Sequence, residues 1–399
     1  MGKRVPALVE PSVLVWARES AGYTVEDIAQ RFDKDPEFIL AWEKGKTHPY
    51  MGQLRDLANF YKRVISDFYL PEPPEERPIP HDFRRSPGEI AGRYSPELRK
   101  QLRFARERQE LADALYDILG EEIPAFTHSA VVSDDPEEVG EKIRLILDVS
   151  VEEQARWGDG YGALKAWRQR IEQQGVLVFQ FEKVNADEAW GFSITDNAFP
   201  VICVNVDLAP NGRTFTILHE FTHLLLGESS ICDIDDFTPR GKNELRLEVF
   251  CNHVAAAALM PQMHFLKHEI VRSKIGAATD WGDDEIEAIA NHFGASREAV
   301  VRRLLTFERT TQAFYQEKRA FFRAQRAAHK LRQRERSKES EASFGRDYAR
   351  RAISNLGGNF VQLILNSYRE GQITLADAAK YLEVHAPKVQ KVQELVLRG

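Results

Sequence analysis

A chain of 399 residues, 43% apolar, 29% charged and with a net charge of −7, has room for two to four folded domains. That balance excludes a disordered or fibrous protein and one that is basic overall and coats nucleic acid. No run of about 18 apolar residues and no apolar leader is present, so the expectation is a cytoplasmic protein without a membrane partner.

Residues 8–70 read as a small helical bundle. Pro11 to Ser20 starts a helix that Gly22 ends, Thr24 caps the next with Asp27 as its capping-box partner, and Asp35-Pro36 opens a third carrying Phe38, Ile39 and Trp42. Gly45 stops that helix, and Gln53 to Tyr61 forms a fourth. This order of Leu, Ala-Arg, Gly-Tyr-Thr, Glu-Asp, Trp-Glu and Gly-Lys resembles the Xre/Cro-like helix-turn-helix of phage repressors. The resemblance implies a third helix that enters the major groove of DNA. Tyr23 to His48 nevertheless carries six acids (Glu26, Asp27, Asp33, Asp35, Glu37, Glu43) against four bases (Arg31, Lys34, Lys44, Lys46). Phosphate and base contacts need Arg, Lys, Asn or Gln, so the alternative is a fold reused to dock another protein. No DNA-binding residue is assigned.

Pro71 to Pro87 holds six prolines, which rules out helix and central strand. It reads as a linker or as an extended arm lying on the next domain. Helices are expected from Ser95-Pro96 to about Leu119, from Asp135-Pro136 through Leu147, and over Tyr161 to Gln174. Three strands follow: Val176 to Phe181, Gly191 to Ile194 and Pro200 to Val206.

His219-Glu220-Phe221-Thr222-His223 is an H-E-x-x-H pattern. On a helix, positions i and i+4 share a face, so both imidazoles can bind one metal ion, and Glu220 lies beside them as the base that takes a proton from water at the metal. Thr214 to Leu226 carries no other charge, which marks a buried helix, and Gly227 supplies its stop. A hydrolytic zinc site needs a third protein ligand. Leu226 stands where a glycine would continue the pattern to a third histidine, so that ligand comes from elsewhere. A second helix, from about Glu244 to Met260, offers Glu248, with Glu244 one turn earlier as competitor and His253 on a different face. His264 and His268 form another i, i+4 pair, but in a charged stretch that reads as solvated.

Thr-x-x-His-Glu-x-x-His-Leu-Leu-Leu, followed by Glu-x-x-Cys-Asn-x-x-Ala-Ala-x-x-Leu-Met-Pro, resembles the ImmA/IrrE family of zinc metallopeptidases. The resemblance implies Zn2+ as cofactor and selects Glu248 as third ligand, with Asn252 beside it and Cys251 in place of the usual alanine. It also implies a narrow, regulated protease that cleaves a repressor or another regulatory partner, from a phage-defence or toxin–antitoxin setting. The sequence assigns no Tyr or His as oxyanion stabiliser; Tyr161 and His253 are candidates without further support.

Ile231 to Asn243, with Asp233, Asp235 and Asp236, reads as an acidic loop at the lip of the cleft. Asp283 to Leu305 is helix-turn-helix-like, with Gly294 at the turn, Ser296 as cap and Arg297, Arg302 and Arg303 exposed. Thr311 to Lys338 is a long polar helix; Tyr315 to Ser340 has nine bases and three acids, and Ser337 to Ser343 leans toward disorder. Asn355 to Gly358 is a turn, and Asn359 to Tyr368, Thr374 to Leu382 and Pro387 to Leu397 are short helices. The scattered Cys203, Cys232 and Cys251 form no disulfide framework.

The expected fold is mainly α with a small β-sheet. It comprises a helix-turn-helix bundle (1–70), a Pro-rich linker (71–93) and an α+β zincin-like metallopeptidase domain (94–310). The core of that domain is 160–262 and its helix-turn-helix-like segment 283–306. A basic helix (311–345) and a C-terminal helical bundle (346–399) follow. The expected function is a zinc-dependent endopeptidase acting on a regulatory protein. The alternatives are a non-enzymatic transcription regulator or antitoxin-like binding protein with a structural zinc, and a metal-dependent hydrolase of something other than peptide. DNA through the N-terminal bundle and a homodimer are further partners left open.

Overall fold

The computed structural model describes residues 5–75, 81–82, 94–196, 198–232, 242–274, 280–339 and 348–397; the side chains of 81–82, 232, 242–244 and 326–339 lie outside that description. So do the Asp233, Asp235 and Asp236 loop, most of the Pro-rich stretch and residues 340–347. The protein is mainly helical with one small mixed sheet. It divides into two compact units: Met1–Ile79 with Gly88–Glu107, and Pro80–Pro87 with Arg108–Gly399.

In the first unit, helices Pro11–Ser20, Val25–Phe32, Pro36–Glu43 and Met51–Tyr61 enclose Leu14, Ile28, Ile39, Trp42, Leu54 and Phe68. Thr24 and Asp27 form the expected reciprocal cap, with Thr24 N donating to Asp27 Oδ2 at 2.7 Å. Arg18 donates to Glu43 at 2.7 Å, and both side chains are largely enclosed. Glu43 is therefore spent on holding the first helix to the third.

The sheet of the second unit has the order β1-β5-β3-β4-β2. Its strands are β1 (His81–Asp82), β2 (Leu177–Phe181), β3 (Gly191–Ile194), β4 (Val201–Asn205) and β5 (Ser230–Cys232). β2 and β4 run parallel, and β3 is antiparallel to both β4 and β5. Every residue of β2 and β4 is buried, as their unbroken apolar runs demand of strands covered on both faces. Helix Pro210–Leu226 lies against β3 and β4. On β2, helices Tyr348–Leu356 and Gly358–Arg369 supply cover, with Phe360 edge-on to Phe179 at 5.3 Å.

Two expectations are corrected here. Ile231 is not loop: it pairs with Phe192 as part of β5. A three-residue strand is too short to show an alternation. Arg303 is not exposed but fully buried at 1%, and Arg297 and Arg302 are half-buried. The reason is the end of helix Lys242–Leu259, whose last carbonyls need donors. Arg303 Nε donates to Met260 O at 3.0 Å, Gln154 Nε2 to Leu259 O at 3.0 Å, and Arg144 Nη1 to Ala258 O at 2.7 Å. Pro261 then ends the helix.

Candidate metal centre

Helix Pro210–Leu226 opens with proline at its first turn and closes on Gly227, whose φ of +72° suits a residue without Cβ. Between them the helix is buried on almost every side, so its polar residues face protein and not water. His219 and His223 stand one turn apart with their Nε2 atoms 3.1 Å from each other. Helix Lys242–Leu259 crosses beside them and brings in Glu248, with Oε1 3.1 Å from His223 Nε2 and Oε2 3.5 Å from His219 Nε2. All three side chains are enclosed.

Among the described residues these are the one group of three His, Cys, Asp or Glu side chains suited to an ion. The spacing can be tested against chemistry. For bonds of about 2.0–2.1 Å at tetrahedral angles, neighbouring ligand atoms lie about 3.3 Å apart. The observed 3.1, 3.1 and 3.5 Å bracket that value, and the set of two imidazoles and one carboxylate is the donor chemistry of a zinc site with a position left open.

Glu220, fully buried, is held by Ser230 of β5, whose Oγ donates to Oε2 at 2.6 Å. Ser193 Oγ of β3 lies 2.8 Å from Ser230 Oγ. Oε1 of Glu220 has no hydrogen-bond partner among the described residues. Burial pushes the Glu220 carboxyl up to about 7, against the opposing pull of His223 and of the serine hydroxyls. A cation at the three ligands would lower it again.

Of the other sequence candidates, Asn252 lies buried one turn beyond Glu248 on the same helix face. Cys251 is buried, and that burial raises its thiol. The side chain of Glu244 lies outside the described residues. Of the two candidates for oxyanion stabilisation, His253 has its Nε2 2.7 Å from Glu137 Oε1, and Tyr161 is exposed beside Arg213. His264 and His268 do not share a helix, because the backbone leaves helical geometry at His268. His264 is exposed, whereas the His268 ring meets His292 edge-on at 4.8 Å.

Sequence reasoning missed Gly191, Ser193 and Ser230. Gly191 and Ser193 lie two apart and so share one face of β3, which was a readable signal. Which helix residue that face would meet was not readable, because it depends on how the sheet seats the helix.

Residues 171–305 match a peptidase family model described as the IrrE N-terminal-like domain. That span contains both ligand helices, Glu220 and four of the five strands, β2 to β5. No curated protein matches the chain. A solved transcriptional regulator from Mycobacterium tuberculosis is similar at 17% identity over 49% of this chain, with a TM-score of 0.30. The chain spans about half of that regulator, 51% of its length, and so slight an overlap says nothing about function.

Proposed function

We propose that this protein is a zinc-dependent endopeptidase that cleaves a regulatory protein partner, a repressor or a component of a toxin–antitoxin or phage-defence system. The observation that carries the reading is the buried convergence of His219, His223 and Glu248 next to a buried glutamate. The match of 171–305 to a peptidase model supports the same chemistry. Zinc held by these three ligands would polarise a scissile carbonyl and make water acidic near neutral pH. Glu220 takes the proton of the attacking water and passes it to the leaving amine.

The N-terminal unit we read as a helix-turn-helix fold that docks a protein partner. Five of the six acids of Tyr23 to His48 are exposed, and a phosphate backbone would repel them.

The complete enclosure of the site favours one second reading, a structural zinc in a binding protein. Glu220→Gln separates the two. On the first reading it retains zinc and lowers cleavage by at least about a hundredfold. Wild type and Glu220→Gln are expressed in the native cytoplasm and captured, and new protein N-termini are mapped by mass spectrometry. A terminus produced only by wild type, on a protein retained by the variant, supports the peptidase. Equal function in both overturns it.

A further inference from the structure

The reading of Glu220 as the base leaves open what aims its carboxylate. A buried glutamate on a helix can rotate about its last torsion, and either oxygen can face a reactant. The sheet removes that freedom through three residues that the metal-binding pattern does not contain.

Ser193 and Ser230 are direct partners in the antiparallel register of β3 and β5, so their side chains rise on the same face. Both are fully buried. Each hydroxyl has one proton. Ser230 lies 2.6 Å from Glu220 Oε2, and a carboxylate can only accept, so the Ser230 proton is committed there. Ser193 Oγ, 2.8 Å from Ser230 Oγ, completes a pair of hydroxyls beside the carboxylate. The result is two hydroxyls on one face of the sheet, with Ser230 holding Oε2. Just beyond the ends of the same two strands, Ser229 Oγ accepts from Thr195 N at 2.8 Å, which pins the same register.

Gly191 closes the other side. A Cβ there would lie 2.6 Å from Thr216 Cγ2, 2.9 Å from Cys203 O and 3.1 Å from Glu220 Oε1. The missing side chain leaves room first for Thr216 and the Cys203 carbonyl, and Oε1 lies beside the same gap.

We propose that Gly191, Ser193 and Ser230 form a seat for the Glu220 carboxylate, fixing Oε2 to the sheet and leaving Oε1 as the proton-accepting atom. Ser193 and Ser230 are positioning residues: they act through Glu220 and not on the substrate. This rests on the proposed role of Glu220.

The test uses the zinc-loaded full chain and acetohydroxamate, a small hydroxamate that binds zinc and needs a nearby carboxylate to take its hydroxyl proton. Affinity is measured by calorimetry and zinc content by elemental analysis, for wild type, Ser230→Ala, Ser230→Thr, Ser193→Ala and Glu220→Gln. The expected result is one zinc in each, with affinity about tenfold weaker in Ser230→Ala. Ser193→Ala should show a smaller loss, and Ser230→Thr, which keeps the hydroxyl, should restore binding to within about twofold of wild type. Wild-type affinity in both alanine variants overturns the proposal. So does parallel loss of zinc and affinity, which marks the serines as mere structural supports. Should Ser230→Ala fail to fold, Ser193→Ala decides by the same criteria. The readout contains no peptide hydrolysis. If Glu220→Gln leaves all cleavage intact while both it and Ser230→Ala weaken the hydroxamate, the peptidase reading fails and the seat stands.

Discussion

His223 is the residue on which both ligand helices converge, its Nε2 3.1 Å from His219 and 3.1 Å from Glu248. Removing it leaves two donors, too few to hold an ion against water. His223→Ala should therefore lose stoichiometric zinc. A ligand that binds only the folded state stabilises it by about 2.7 kcal/mol at a concentration 100 times its Kd. Added zinc should thus raise the melting temperature of the apo wild type and leave His223→Ala unmoved, a comparison that differential scanning fluorimetry makes directly. Cys203 and Cys251 are both free and buried, and burial raises both thiols. A thiol kept from ionising is a poor nucleophile, so iodoacetamide should leave both unlabelled in the native protein and modify them once urea unfolds it.

Helix Lys242–Leu259 shows how a local motif depends on distant chain. The carbonyls of Ala258 and Leu259 at its end and of Met260 just past it are met by Arg144, Gln154 and Arg303, residues from three separate stretches of sequence. Arg303 also pairs with Glu137, its Nη2 2.5 Å from Oε2. Burial alone would raise the Glu137 carboxyl, but hydrogen bonds from His253 and Arg303, with their charge, outweigh it and hold the group at about 2. The ordinary value is 4.5, so the unfolded chain takes up the proton first as pH falls. This contribution to stability is complete above about pH 4.5 and is lost as pH drops toward 2. Urea midpoints measured from pH 6 down to 2.5 should fall less steeply for Glu137→Gln than for wild type. The ligand pattern was legible because i, i+4 spacing is a local property, and the main helices and three strands because their apolar runs and caps are local too. Arg303 was misread for the complementary reason. Nothing near it in sequence announces the carbonyl of Met260, and an arginine on a polar helix face looks solvated until its acceptor is in view. Strand β5 escaped notice because its pairing with β3, and not any pattern of its own, makes it a strand.

At the scale of the whole molecule, the C-terminal helices share the unit that carries the metal site. Gln180 of β2 links the two ends: its amide donates to Ser354 O at 2.6 Å, and its oxygen accepts from Arg213 at 2.6 Å, on the first turns of the histidine helix. Phe360, 2% exposed against Phe179, is an anchor of this cover. Phe360→Ala should cost about 3–5 kcal/mol, read from urea unfolding as a lower midpoint. No helix among the described residues is long and apolar enough to cross a membrane. His219, Glu220, His223 and Glu248 are each at 0% exposure, and that enclosure bears on how fast the ion can leave. A chelator cannot reach ligands that water does not touch, so demetallation has to wait for a local opening. Its rate should rise with chelator at low concentration, then level off at the opening rate of the fold itself. The plateau, followed by stopped flow, would be a clock for the motion that admits any substrate.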